Sequence, residues 1–217
     1  MRKTLGYVLF AAGALLLSFA GARYAVGALR ADAARRAWND ATARQAVAMV
    51  QSAALHGWNT DQIAKGAPVA RIVVPGIDLD EIVLEGVDDD ALNAGPGHLP
   101  GSAFPGDRGN SVISAHRDRH FSRLGDVSVG DTIRTESGRQ AVSWVVVSKR
   151  IVRRDQPALF ASREPVLTLT TCWPMRYLGT APDRLILTAK PLNGAGAIRR
   201  AAVAPASTAG QRVATGE

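Results

Sequence analysis

The chain has 217 residues, of which 47% are hydrophobic, and this composition suits one globular domain with an additional apolar segment. Its formal net charge is +7, but residues 67–190 carry 15 basic and 15 acidic side chains and are therefore neutral. The excess charge lies in residues 1–66 and 191–217, which argues against a nucleic-acid-binding face and favours contact with anionic lipids. Four histidines and one cysteine are too few for a zinc finger of the usual spacing.

The first predicted element is an uncharged run from Leu5 to Ala22, preceded by two basic residues. A helix of this length spans about 27 Å, which is nearly the thickness of a bilayer core. The run predicts an uncleaved membrane anchor over residues 1–30, and a signal peptide cleaved after Ala22 is the alternative. Four arginines follow the run, namely Arg23, Arg30, Arg35 and Arg36. The positive-inside rule, taken alone, would keep the rest of the chain in the cytosol.

The next predicted elements change from helix to strand. Residues 31–66 are rich in alanine and arginine and predict a helical stalk, with a flexible linker as the alternative. Residues 67–190 contain seven runs of β-type residues separated by glycine, proline and aspartate: 69–74, 81–86, 110–115, 131–136, 141–152, 165–172 and 184–189. Short helical turns are expected near 88–93 and 120–124. This spacing predicts a small closed barrel or a sandwich. Residues 191–217 contain few large apolar residues and predict a disordered tail.

The only cysteine, Cys172, is placed at the end of the predicted strand 165–172, where Thr168 and Thr170 share its face. A lone cysteine is commonly a buried and inert apolar residue. At a strand end beside a groove, however, a thiol is accessible and can serve as a nucleophile. Such a nucleophile needs a neighbouring base or cation, because the thiolate is the reactive form.

Two residues are the best candidates to assist the thiol. His116 follows the β-branched strand 110–115. His120 lies in the following turn, where a solvent-facing or capping role is expected, and His98 lies in a loop where a structural role is expected. Arg184 would enter beside Cys172 if strands 165–172 and 184–189 pair in antiparallel fashion. A guanidinium at that position can bind a carbonyl or stabilise an oxyanion.

Acidic residues are concentrated in two runs, 78–81 and 88–90. Calcium is bound by such carboxylates in some proteins. Turn, cap and surface roles are the more common use, so no metal and no cofactor is predicted.

These residues together resemble the sortase family. "TLTTC" (168–172) fits the sortase motif TLxTC, and His116, Cys172 and Arg184 follow the family's order along the chain. The segment that begins "GPGHLPG" resembles the region around the sortase histidine, and "TCWP" is similar to the type found in Gram-negative bacteria. The resemblance covers roughly residues 69–190. It departs at Ala115 and Met175, which affects the expected shape of the pocket.

The resemblance implies an eight-stranded β-barrel and a membrane-anchored cysteine transpeptidase. Its partners would be an amine acceptor and proteins with an LPxTG-like C-terminal sorting signal. Cys172, His116 and Arg184 would be catalytic, with Thr171 and Trp173 in substrate binding and the Thr171 hydroxyl or amide as an oxyanion donor. The family also implies that the barrel lies outside the cytoplasmic membrane, against the simple charge count.

Three other functions are alternatives to this one. L,D-transpeptidases also use cysteine, histidine and arginine, but a His-Gly pair precedes their cysteine where this chain has Thr170-Thr171. A papain-like protease would have its cysteine before its histidine, which is the reverse of the order here. The alternative that is not an enzyme is a non-catalytic, membrane-tethered β-barrel that acts as a binding module.

Overall fold

The computed structural model describes residues 2–39, 63–137, 140–156, 160–195 and 199–200. Two α-helices are present in these ranges, α1 (Arg2–Asn39) and α2 (Asp89–Ala94). The strands, in chain order from β1 to β9, are Pro68–Val74, Leu79–Glu85, Gly97–His98, Gly109–Ser114, Thr132–Glu136, Gln140–Arg153, Pro165–Trp173, Asp183–Ala195 and Arg199–Arg200. All seven predicted strands are therefore present, and β3 and β9 are additional pairs of residues.

The first eight strands form a closed barrel. Their order is β5-β1-β2-β3-β4-β7-β8-β6, and β5 also pairs with β6, which closes the sheet. The pairs β2–β3 and β4–β7 are parallel, and the other pairs of the barrel are antiparallel. The expected eight-stranded barrel is confirmed, and closure excludes the alternative of a sandwich.

Alternation along the strands fills the barrel interior. Leu167 and Leu169 of β7 lie opposite Ala189 and Leu187 of β8, and all four are buried in one apolar core. Trp144 is fully buried, and its indole N–H donates a hydrogen bond to Thr135 Oγ1 at 2.8 Å. Odd-numbered residues of β7 therefore point inward, which leaves Thr168, Thr170 and Cys172 on the outer face.

Helix α1 combines the predicted anchor with part of the predicted stalk. Its stretch Phe10–Trp38 is long and apolar enough to cross a membrane by length and composition. Residues 31–39 continue the same helix, and the stalk residues 40–62 lie outside the described residues. At the other end, β8 runs to Ala195, beyond the predicted end of the barrel at residue 190. Residues 201–217 of the predicted tail also lie outside the described residues.

A buried polar network holds β4, the strand that leads to His116. His98 is fully buried, and its Nδ1 lies 2.8 Å from Glu85 Oε2. Its Nε2 lies 3.0 Å from both Ser102 Oγ and the carbonyl oxygen of Ala103. Ser102 Oγ in turn accepts a hydrogen bond from the Val112 amide of β4. These contacts support the structural role expected for His98.

Removing one member of the His98–Glu85 pair should lower the free energy of unfolding more than removing both. His98→Leu leaves the Glu85 carboxylate buried without its partner, and we expect the free energy of unfolding to fall by about 3–5 kcal/mol. The double variant His98→Leu/Glu85→Leu should recover part of that loss, because neither buried polar side chain is then left without the other. Urea unfolding followed by tryptophan fluorescence measures both values. A single variant with wild-type stability would contradict a stabilising role for the pair.

Candidate active site

Three adjacent strands bring the predicted catalytic residues to one level of the barrel. In the parallel pair β4–β7, Ser114 lies opposite Thr170, so His116 and Cys172 each lie two residues beyond the same rung. In the antiparallel pair β7–β8, Cys172 lies directly opposite Arg184. The predicted pairing of these two strands is confirmed. Because opposite residues share a face, Cys172 and Arg184 both project from the outer face.

Thr171 lies on the other face and has a different partner from the one expected. Its side chain is buried, and Oγ1 donates a hydrogen bond to the carbonyl oxygen of Ala115 at 2.7 Å. The Ala115 amide in turn donates to the Thr170 carbonyl oxygen at 3.3 Å. The Thr171 hydroxyl thus donates to a backbone carbonyl oxygen in this structure, and its part in substrate binding or at the oxyanion stays a prediction. It joins the ends of β4 and β7, and a role for the Thr171 backbone amide stays a prediction.

A tight turn follows His116 and determines the direction of its neighbours. The amides of Arg119 and Phe121 donate to the His116 carbonyl oxygen at 3.4 and 3.1 Å, and the Phe121 side chain is fully buried. The predicted helical turn near residues 120–124 appears as this turn and a short 3₁₀ helix, Leu124–Asp126. The turn is thus anchored in the core at Phe121.

His120 does not face solvent as the sequence indicated. Only 13% of its side chain is exposed, and its Nδ1 lies 3.2 Å from Glu81 Oε1. Glu81 comes 39 positions earlier in the chain, so no local pattern of residues indicated the pair. His120 is therefore a largely covered neighbour of the site with a carboxylate partner of its own.

The surroundings of His116 favour its neutral form. Burial is the largest effect and lowers the pKa of His116 below its usual value. The nearby charges of Asp118 and Asp89 act in the opposite direction, whereas Arg119 and His120 lower the pKa further. The net direction is downward, so the imidazole is mainly neutral at neutral pH and can accept a proton.

Arg117 connects the turn after His116 to the loop after Cys172. Its guanidinium donates hydrogen bonds to the carbonyl oxygens of Pro174, Tyr177 and Gly179 at 3.2, 2.8 and 3.0 Å. The guanidinium carbon also lies 5.7 Å from the centroid of the Tyr177 ring. Arg117 therefore holds the β7–β8 loop, residues 174–182, beside Cys172. This role was not predictable from the sequence, because backbone carbonyl groups are the same in every residue type.

Trp173 and Met175 form part of the wall beside Cys172. Both are partly buried and pack against the main core. A Cβ atom added at Gly125 would lie 3.0 Å from Met175 Cγ and 3.3 Å from Trp173 Cζ3, so this glycine allows close packing. Cys172 itself is a free thiol of intermediate exposure. Contact between Trp173 and a substrate stays a prediction.

The two acidic runs have protein partners. Asp80 accepts two hydrogen bonds from Arg71, at 2.7 and 2.6 Å, and this contact lowers the pKa of Asp80 below its usual value. Asp78 pairs with Arg123 at 3.1 Å, and Asp88 pairs with Lys65 at 3.2 Å and caps α2. Among the described residues, no cluster of three or more aspartate, glutamate, histidine or cysteine side chains is arranged to hold a metal ion.

Comparison with known proteins agrees with this geometry. A model of the sortase domain matches residues 72–192. Sortase D of Bacillus subtilis (strain 168) is 34% identical over 119 residues, which are 54% of this chain and 60% of that protein. The chain therefore matches less than two thirds of the length of that relative.

Two solved structures have a similar fold. The catalytic domain of B. anthracis SrtD is 32% identical, with a TM-score of 0.52 over 63% of this chain and 95% of that one. A Clostridium perfringens Sortase D5 transpeptidase is 21% identical, with a TM-score of 0.61 over 77% of this chain and 99% of that one. At that lower identity the second likeness supports the fold alone.

The first prediction from the site concerns the loop held by Arg117. Arg117→Met removes the donor of three hydrogen bonds worth about 1 kcal/mol each, so amides 175–180 should exchange with solvent at least about tenfold faster. Hydrogen exchange with mass spectrometry measures this rate. Arg176→Met is the matched control, because that arginine is an exposed residue of the same loop. Equal rates in the two variants would contradict the anchoring role.

The second prediction concerns the pKa of His116. Asp118 raises that pKa, so Asp118→Asn should lower it further by removing a charge that stabilises the imidazolium. An NMR titration of the His116 ring protons measures the change directly. Asp126→Asn is the control, since Asp126 pairs with Arg123. An unchanged or raised pKa in Asp118→Asn would show that Asp118 does not act on His116.

Proposed function

The chain belongs to the sortase family, and from this premise we propose that it is a membrane-anchored transpeptidase whose nucleophile is Cys172. Its substrates are proteins with an LPxTG-like C-terminal sorting signal, and its second substrate is an amine. The observation that carries the proposal is the shared register of three strand ends, which brings His116, Cys172 and Arg184 to one level. Their order along the chain matches that of the family.

In the first step, the Cys172 thiolate attacks the carbonyl carbon of the threonine in the sorting signal. The carbon–nitrogen bond breaks, His116 gives its proton to the departing amine, and a thioester links the substrate to Sγ. In the second step, neutral His116 takes a proton from the incoming amine, whose nitrogen attacks the thioester carbonyl. The carbon–sulfur bond breaks and the thiolate is restored, so protons and electrons balance over the cycle.

Arg184 is assigned to the oxyanion that forms in both steps. It lies directly opposite Cys172 in the sheet, so its guanidinium projects from the same face as the thiol. A planar guanidinium holds two acceptor atoms at once and keeps its charge at every relevant pH. Charge that develops on the carbonyl oxygen is therefore met by a fixed cation.

The lowered pKa of His116 has opposite effects on the two steps. A neutral imidazole is the form required to activate the amine. The first step needs an imidazolium beside a thiolate, and ordinary thiols and imidazoles form this charged pair in few molecules at neutral pH. Burial of His116 reduces that fraction further. The proposal therefore predicts a slow acylation step.

Helix α1 is assigned to the membrane. Apolar side chains of its first half are exposed, among them Phe10, Leu15 and Phe19, as expected for a surface that meets lipid. Arg30 and Arg35 of the second half form ion pairs with Asp90 and Glu81 of the barrel region. These arginines thus have partners within the protein, which supports a barrel on the extracytoplasmic side despite the charge count.

The experiment for the proposed function is a cleavage and transfer assay with LPxTG-like peptides and an amine, read by mass spectrometry. The wild-type chain should release the C-terminal fragment and join the rest to the amine, whereas Cys172→Ala and His116→Ala should give no product above background. His120→Ala should retain more activity, because His120 contacts Glu81. Circular dichroism checks that each variant is folded. Product from folded Cys172→Ala would reject the nucleophile.

The role of Arg184 is tested by a variant that keeps the positive charge at position 184 but changes the geometry of the group that carries it. Arg184→Lys should lower kcat/KM by about 10² or more, because an ammonium lacks the two-pronged geometry that holds an oxyanion. Arg134→Lys makes the same change in an exposed arginine of β5, which does not lie at the ends of β4 and β7. Its kcat/KM should stay near the wild-type value. Near-normal turnover of Arg184→Lys would limit Arg184 to a general electrostatic effect.

A further inference from the structure

The second half of α1 packs against the barrel along one face, which we call the docking face: Tyr24, Gly27, Ala31, Ala34 and Trp38. These residues are spaced by three or four positions and therefore lie on one side of the helix. Ala34 and Trp38 pack against Ile82, Leu84 and Ala94. Gly27 is buried, whereas the residues on both sides of it are exposed.

The first contact between this face and the turn after His116 is made by Arg119. Its Nη1 donates a hydrogen bond to the Asn93 carbonyl oxygen of α2 at 2.7 Å, and its guanidinium carbon lies 4.5 Å from the Tyr24 ring centroid. A Cβ atom at Gly27 would lie 2.6 Å from both Arg119 Nη1 and that carbonyl oxygen. Glycine at position 27 therefore lets the helix come close enough to enclose the Arg119 side chain.

The second contact runs through Glu81. One carboxylate oxygen, Oε2, lies 3.4 Å from Arg35 Nη2 of the helix, and the other, Oε1, lies 3.2 Å from His120 Nδ1. Arg35 also donates to the Asp80 carbonyl oxygen at 2.7 Å. The partly exposed carboxylate of Glu81 thus connects Arg35 of α1 to His120, four positions after His116.

Both contacts act on a turn that is bonded to His116 itself. The amide of Arg119 donates to the His116 carbonyl oxygen at 3.4 Å, so a displacement of Arg119 is passed to the backbone of His116. Neither contact involves the loop 174–182 or Arg184. The docked helix can therefore influence the position of His116 through these two contacts alone, without acting on the β7–β8 loop beside Cys172.

We propose that the second half of α1 is a positioning element of the active site, which holds the turn 117–120 and so fixes His116 relative to Cys172. The inference rests on the proposed transpeptidase function and goes beyond it, because it gives the membrane helix a part in turnover as well as in anchoring. Misplacement of a catalytic group by about 1 Å reduces rates by up to about 10². Loss of docking should therefore reduce kcat, while KM for the peptide stays close to the wild-type value.

The test uses the full chain in lipid nanodiscs and a pair of matched glycine variants. Gly27→Leu places a side chain between the helix and Arg119, whereas Gly21→Leu adds the same side chain where no atom lies within 4 Å. We expect Gly27→Leu to lower kcat by about 10- to 100-fold with KM within about twofold. Gly21→Leu should leave both constants near wild type.

A second pair approaches the contact from the barrel side. Arg119→Met removes the hydrogen bond to Asn93 of α2 and the ring contact with Tyr24 of α1. It should reproduce the loss of kcat. Arg123→Met is the control in the same turn, because Arg123 forms its ion pairs with Asp78 and Asp126, which both lie outside α1. Equal effects of the two arginine variants would point to general damage to the turn and would overturn the inference.

Hydrogen exchange of amides 117–122 provides a readout that does not depend on turnover. Gly27→Leu should speed this exchange, and Gly21→Leu should not. Faster exchange with unchanged kcat, or a loss of kcat with unchanged exchange, would reject the positioning role. If the wild-type chain transfers no peptide at all, the proposed function fails and the effect on turnover fails with it. The exchange rates then still decide whether α1 holds the turn, and unchanged rates in Gly27→Leu would overturn the docking itself.

Discussion

The pairing of β7 with β4 on one side and β8 on the other is the constraint on which the site depends. The parallel pair places the end of β4 level with the end of β7, and the antiparallel pair places the start of β8 at the same level. His116 and Cys172 are far apart in sequence because a parallel pair needs a long connection, which here contains β5 and β6. Arg184 follows Cys172 closely because an antiparallel pair needs only a loop. A slip of one residue in either pairing would move Cys172 to the other face or separate it from Arg184.

The turn after His116 links this strand arrangement to the rest of the molecule. Arg117 reaches the carbonyl oxygens of the β7–β8 loop, Arg119 reaches α2 and Tyr24, and His120 reaches Glu81. Phe121 fixes the turn in the core. Neighbouring side chains therefore hold, on one side, the loop beside Cys172 and, on the other, helix α1. The same short segment also acts on the pKa of His116, which Asp118 raises and Arg119 lowers.

The sequence predicted the barrel well because strand periodicity is a local property. Seven strands and the face shared by Thr168, Thr170 and Cys172 followed from alternation alone, whereas β3, with two residues, is too short to show any periodicity. The contacts that position the site were not predictable, because their partners are distant in sequence. Arg117 bonds to carbonyl oxygens 57 to 62 positions away, and those atoms are the same in every residue type. The hydrogen bond of the Thr171 hydroxyl was not predictable for a similar reason, since its partner is the backbone carbonyl oxygen of Ala115. The docking face of α1 was hidden in an alanine-rich stretch, where small buried residues and small exposed residues look alike.

The central claim is that the strand register makes Cys172 the residue that carries the substrate between the two chemical steps. Intact-protein mass spectrometry after brief reaction with a sorting-signal peptide, without added amine, tests it most directly. The account predicts a mass increase equal to the N-terminal part of the cleaved peptide, located by fragmentation on Cys172 and released by hydroxylamine as expected of a thioester. A covalent adduct on any other residue, or peptide turnover by a folded enzyme in which Cys172 is replaced by alanine, would contradict it.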